Sequence, residues 1–387
     1  MAPDLNMPAP SASQEAAASP RLAPLDGLRG IAIALVLWHH LGDQLLPLGR
    51  ASWLGWIRAG TSLGWIGVEL FFALSGFLIG GILIDRRDSP NLMRVFYARR
   101  ALRILPLYYA ALGAIGLLLL ARLPHSYHIG PAWVPALFLS NLAFGIAGRW
   151  DWAPLSVLWS LAVEEQFYLA SPWLIRGLSP GRVGWLGVGL VAISELLRVG
   201  VQAFSPGTHL FLHVVTLFHM DGLALGILAA WLVRAPGTDA LFAALGRCWH
   251  LLALAGLGLI LVLEVVRADE GSPAMDFWGY PAVAGFFALL ILVAVRIRPP
   301  GPNRILSGRL LVYLGRRSYF IYLFHEIFWS LAVAHLGPGF PMRSATGVGL
   351  VLATVAVTLG AAELSWRWFE GPLIARGHQL KYAPCPA

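Results

Sequence analysis

Ten stretches of this chain are mostly apolar and each about as long as a membrane is thick: 28–47, 64–84, 103–121, 156–176, 183–201, 211–233, 249–266, 277–295, 310–333 and 345–369. A helix needs about 20 such residues to cross roughly 30 Å of hydrocarbon. Lipid offers backbone amides no partner, so the chain must satisfy them internally. The spacing predicts an all-α polytopic membrane helix bundle of about ten transmembrane helices. A shorter stretch, AWVPALFLSNLAFGIA at 132–147, is expected to be re-entrant or interfacial. Composition agrees, since only 12% of the residues are charged, against roughly 25% in a soluble domain.

The short stretch decides the topology. If it does not cross and the chain starts in the cytoplasm, one side collects Arg86, Arg87, Arg94, Arg99 and Arg100, then Arg176, Arg182, Arg234 and Arg247. The same side receives Arg296, Arg298, Arg304, Arg309, Arg376 and Lys381. The other side holds Arg50, Arg58, Arg149 and Arg343 with the acidic loop RADEGSPAMD. The positive-inside rule then places both termini in the cytoplasm. Residues 1–20 are Ala/Pro/Ser-rich, lack the basic start and apolar core of a signal peptide, and are expected to form a disordered cytoplasmic tail. Residues 21–374 form the expected membrane domain and 375–387 a short cytoplasmic tail. The net charge of +8 sits in loops between apolar runs and so reads as a topology signal, with no nucleic-acid partner expected. Cys248 and Cys385 supply neither a disulfide framework nor a Cys-based zinc site. No internal repeat of the inverted-repeat transporter kind stands out.

Ionisable groups inside such spans are costly and mark candidate functional sites. The first span reads LDGLRGIAIALVLWHH, with Asp26 and Arg29 at its start and His39 and His40 at its end. Arg29 and His40 are eleven residues apart, about three helical turns and roughly 16 Å, so they share a face that His39 leaves by about 100°. The second span, GVELFFALSGFLIGG, carries Glu69 and the pair Ser75 and Gly76, where small residues would also allow close helix approach. In FYARRALRILPLYY, Arg100 and Arg103 share a face at i, i+3, a guanidinium cluster suited to a phosphate-bearing ligand. LWSLAVEEQFYLASPW brings Glu164, Glu165 and Gln166 between Trp159, Phe167 and Tyr168, read as one wall of a polar cavity. Asp221 in HMDGLALG and His325 with Glu326 in SYFIYLFHEIF add acid and imidazole on other helices. Together these groups predict a polar chamber inside the bundle.

The ordered segments LDGLRGIAIALVLWHH, GVELFFALSGFLI, FYARRALRILPLYY, LWSLAVEEQFYL, LGRRSYFIYLFHE and WFEGPL resemble the signatures of the acyltransferase-3 family of integral membrane acyltransferases, over residues 22–374. The resemblance implies transfer of an acyl group, commonly acetyl, from cytoplasmic acyl-CoA as co-substrate to a hydroxyl of a carbohydrate, a lipid-linked glycan or another small molecule. The family's Arg, ten residues, His pattern falls on Arg29 and His40, its Arg-x-x-Arg on Arg100 and Arg103, its SGFL segment on Ser75 and Gly76, and its WSLxxE acid on Glu164. Many relatives carry Asp at the place of Glu69, and the segment around His219 often carries Arg.

Ester formation needs a base for the hydroxyl proton, stabilisation of the oxyanion and a hold on the donor. His40 is the expected base or acyl carrier, with a carboxylate such as Glu69 or Glu164 beside it, and Arg29, Arg100 and Arg103 the expected holders of CoA phosphates. Asp26, Ser75, Gly76, Asp221 and His325 are expected to be structural or to line the substrate site. No permanently bound cofactor is expected, and no metal, because the histidines are scattered without an H-E-x-x-H spacing. A transporter or flippase also needs intramembrane charges and stays open as the non-enzyme reading. An Arg-rich chain with the single lysine Lys381 points to a GC-rich bacterial genome, and so to an inner-membrane location among lipid.

Overall fold

The computed structural model describes residues 23–42, 63–121, 130–205, 207–265, 272–334, 336 and 345–384. The tail expected at residues 1–20 lies outside them. Among the described residues every regular element is a helix, and none is a strand. The ten principal helices are α1 (Ala23–Leu37), α2 (Ile66–Arg86), α3 (Leu92–Leu120), α4 (Leu158–Arg176), α5 (Pro180–Phe204), α6 (Asp221–Leu232), α7 (Asp239–Val265), α8 (Tyr280–Leu292), α9 (Arg309–Val333) and α10 (Ala345–Ser365). Among the described residues six stretches, built on α2, α3, α5, α7, α8 and α10, are long and apolar enough to cross a membrane. Helix α4 fails on polarity, through Glu164, Glu165 and Arg176, and α9 through its arginines, His325 and Glu326. These two helices carry much of the polar chamber.

The expected re-entrant or interfacial segment and one expected span are each broken into shorter helices. Residues 132–147 divide into Trp133–Ala136 and Ser140–Ala147, with Phe138 between them in the left-handed region at φ 55°. Eight helical residues reach about 12 Å, too short to cross. Gln166 of α4 holds this segment: its Nε2 donates to the Phe138 carbonyl and to Asn141 Oδ1, both at 3.0 Å, and its Oε1 accepts from Thr216 Oγ1 at 2.5 Å. Gln166 therefore faces a neighbouring segment and does not line the polar cavity. The span expected at 211–233 also breaks, into His209–Val214, a 3₁₀ turn at Thr216–Phe218, and α6. Buried Arg198 of α5 causes this break. Its guanidinium donates to the Phe218 carbonyl, to Glu195, and to Asp221 Oδ2 at 2.5 Å, so the backbone turns to meet it.

Close helix crossings set the bundle. A Cβ added at Gly76 would lie 2.0 Å from the Leu223 carbonyl oxygen, so α2 and α6 touch backbone to backbone. At Gly315 of α9 a Cβ would lie 1.7 Å from the Asp26 carbonyl oxygen, which brings α1 equally close. Around these crossings Phe72, Tyr108, Leu158, Leu223 and Ile321 pack one continuous apolar core. The pairs α1/α9 and α2/α6 bring Arg29, Ser75 and Tyr322 to the same cavity as Glu164 of α4.

Candidate active site

Ser160, Glu164 and Tyr168 stand at i, i+4 and i+8 on one face of α4. Glu164 accepts from Ser75 Oγ at 2.8 Å and from Tyr168 OH at 2.9 Å, and Tyr168 OH lies 3.0 Å from Ser75 Oγ. These groups line a cavity of ≈ 80 Å³ together with Glu165 and three guanidinium groups, Arg29, Arg100 and Arg103. That volume admits several water molecules. Arg29 stands 4.0 Å from Asp26, whose other oxygen meets Arg316 at 3.2 Å. Arg100 lies over the rings of Phe96 and Tyr168, at 6.0 and 5.7 Å from their centroids. Among the described residues neither Arg100 nor Arg103 is in a salt bridge. The cavity therefore holds more positive charge than its acids pair off, which favours an anionic ligand.

A second cavity, of ≈ 380 Å³, is lined by His39, His40, Trp65, Trp150, Asp151, Trp159 and His213. Val68 and Tyr322 line both cavities, so the two meet across this pair. His40 sits in a five-residue π turn, Trp38–Gly42, that extends α1; such bulges recur at functional sites. Its Nδ1 lies 3.0 Å from the Val36 carbonyl oxygen and 3.3 Å from His325 Nε2. Tyr322 donates to the Val157 carbonyl at 3.0 Å and lies 2.6 Å from Ser160 Oγ, which fixes the ring that separates the chambers. Ligand atoms of His40, His325 and Glu326 come within 4.8 Å of one another, a grouping that the scattered sequence positions did not foretell.

Neither Glu69 nor Glu164 lines the chamber of His40, whereas a carboxylate oxygen of Glu326 comes within 4.8 Å of a His40 ring nitrogen. Glu69 pairs with His219, both buried, and Glu164 is occupied by Ser75 and Tyr168. Asp221 pairs with Arg198 in a separate buried network. Gly76 serves the α2/α6 crossing. Sequence reasoning missed Ser160, Tyr322, Trp65, Trp150 and His213. The first two were accessible from spacing: Ser160 precedes Glu164 by four residues, and Ser318, Tyr322 and His325 form an i, i+4, i+7 face. The others come from distant segments and carry no local signal.

These features define an integral membrane helix bundle with an arginine-lined chamber and an imidazole-lined chamber that meet inside it. Residues 22–363 match the sequence model of the acyltransferase-3 family, described as an acyltransferase domain, and the chain belongs to that family. It is similar to "Putative O-acetyltransferase SACOL0978" of Staphylococcus aureus strain COL, at 27% identity over 369 residues, covering 91% of this chain and 57% of that protein. It is also similar to "O-acetyltransferase OatA" of Staphylococcus aureus strain NCTC 8325 / PS 47, at 26% identity over 384 residues, covering 93% and 58%. The chain thus spans less than two thirds of the length of these relatives. No solved structure matches it.

Proposed function

We propose that this protein is an O-acyltransferase of the bacterial inner membrane, moving an acetyl group from cytoplasmic acyl-CoA to a hydroxyl of a carbohydrate or lipid-linked glycan. The observation that carries this reading is the meeting of the two chambers at Val68 and Tyr322, with guanidinium groups on one side and His40 on the other. Arg29, Arg100 and Arg103 hold the donor's phosphates, and the thioester reaches past Tyr322 towards His40. Aromatic walls from Trp65, Trp150 and Trp159 receive the acceptor. His40 then takes the acceptor's hydroxyl proton as the ester bond forms. Family membership and the names of the relatives support O-acyl transfer.

The test is label transfer from radiolabelled acetyl-CoA in membranes holding wild type or His40→Ala at matched levels. Label entering a glycan fraction with wild type alone is the expected result. Equal labelling by the variant removes His40 from the chemistry. Substrate uptake into sealed vesicles without any acylated product would favour a transporter.

A further inference from the structure

Two histidines from opposite ends of the chain meet at the second chamber, and their hydrogen bonds determine where each ring carries its proton. His325 is fully buried. Its Nδ1 lies 3.0 Å from the Ile321 carbonyl oxygen and 2.8 Å from that of Tyr322. A carbonyl only accepts, so in the neutral ring the proton is on Nδ1 and Nε2 presents a lone pair. That lone pair faces His40 Nδ1 at 3.3 Å. His40 Nδ1 also lies 3.0 Å from the Val36 carbonyl oxygen, a second group that only accepts. Both neighbours therefore require the His40 proton on Nδ1, leaving Nε2 unprotonated. Among the described residues Nε2 has no hydrogen-bond partner, and the ring lines the chamber.

We infer that His325 is a positioning residue, which together with the Val36 carbonyl holds His40 in the Nδ1–H form with its Nε2 lone pair offered to the acceptor. This rests on the proposed role of His40 as base. In the step itself, His40 Nε2 takes the proton of the acceptor hydroxyl while its oxygen bonds to the thioester carbonyl carbon. The carbon–sulfur bond then breaks, and the departing thiolate takes the proton from Nε2. The Nδ1 proton stays in place throughout. As the imidazolium forms, the bond from Nδ1–H to the neutral His325 ring becomes charge-assisted and strengthens in the transition state more than in the ground state.

The same atoms could be viewed as metal ligands with Glu326, but the geometry speaks against it. A metal held through His40 Nδ1 would need a lone pair on that atom, which would then face the Val36 carbonyl oxygen at 3.0 Å. Glu326 Oε1 is 3.8 Å from His325 Nε2, too far for a hydrogen bond to fix it there.

The experiment is ¹⁵N NMR of histidine-labelled full-length protein in lipid nanodiscs, with the His40 signals assigned by their absence in His40→Asn. Wild type is expected to show His40 as the Nδ1–H tautomer, and His325→Ala to show a gain of the Nε2–H form. In parallel, thiol release from acetyl-CoA with an envelope glycan fraction as acceptor is expected to fall about 10- to 100-fold in kcat for His325→Ala, less than the roughly 10²–10⁴-fold that a general base itself typically contributes, because His325 acts through His40. KM for acetyl-CoA should stay unchanged, and His325→Gln, whose amide oxygen can accept from Nδ1–H, should recover part of the rate. A wild-type His40 protonated at Nε2 overturns the inference without any variant. So does a His325→Ala protein with wild-type tautomer and kcat, or stoichiometric bound zinc whose chelation changes both rings. Retained turnover in His40→Asn would instead strike the base assignment, and is read separately from the tautomer.

Discussion

Two of the buried charge networks among the described residues have different consequences. Arg198 is fully enclosed and serves Asp221, Glu195 and the Phe218 carbonyl. Arg198→Ala leaves a buried carboxylate without its cation, a change that costs about 3–5 kcal/mol. We expect the variant to lose folded yield and thermal stability in detergent, with Asp221→Ala in the same chain recovering part of the loss. A wild-type melting temperature for Arg198→Ala would show that the network carries no stability. Around Glu164 the logic differs, because the acid accepts from two neutral hydroxyls and faces guanidinium groups across a cavity. There Tyr168→Phe removes one donor and is expected to cost about 1.5–3 kcal/mol, if Glu164 carries its charge. The charged residues within apolar spans made Arg29, Arg100, Arg103 and Glu164 stand out one by one as candidates, and helix packing brings them to one cavity. Those positions did not pair Glu69 with His219 or His40 with His325, because those contacts join helices whose mutual rotation no single segment encodes.

At the scale of elements, the crossings depend on residues without side chains. Adding a methyl group at Gly76 drives a carbon to 2.0 Å from the Leu223 carbonyl oxygen, so α2 and α6 must separate. Gly76→Ala is expected to destabilise the protein by about 1–3 kcal/mol, read as a lower melting temperature and lower activity together. Gly113→Ala on α3, where nothing lies within 4 Å of the new carbon, is the control and should change neither. If both variants behave alike, the close approach of α2 and α6 is not what holds this region. Apolar length made nearly all the principal helices legible in the sequence. The break in 211–233 was not, since mean apolarity stays high through LFLHVVTLFHMDGLALG while Arg198, on the preceding helix, supplies the reason to turn. In 132–147 the shortness of the run was the visible sign, and Gln166 the hidden cause.

For the whole molecule, the proposed function requires the basic loops and the donor to share the cytoplasmic side. In a background with Cys248 and Cys385 replaced by serine, Arg304→Cys should react with a membrane-impermeant maleimide from the cytoplasmic face, and Ala147→Cys from the opposite face. Labelling of both from one face would overturn the orientation. The central claim is a division of labour, in which the arginine chamber holds the donor and the histidine chamber carries out the transfer. Its most direct measurement is steady-state thiol release from acetyl-CoA by purified protein supplied with the acceptor glycan fraction, comparing wild type, Arg103→Ala and His40→Ala. The account predicts that Arg103→Ala raises KM for acetyl-CoA about 10-fold, the effect of about 1.4 kcal/mol of lost binding, with kcat little changed. It predicts that His40→Ala loses turnover while still binding acetyl-CoA. Wild-type kcat in His40→Ala, or a KM for acetyl-CoA indifferent to Arg103, would contradict it.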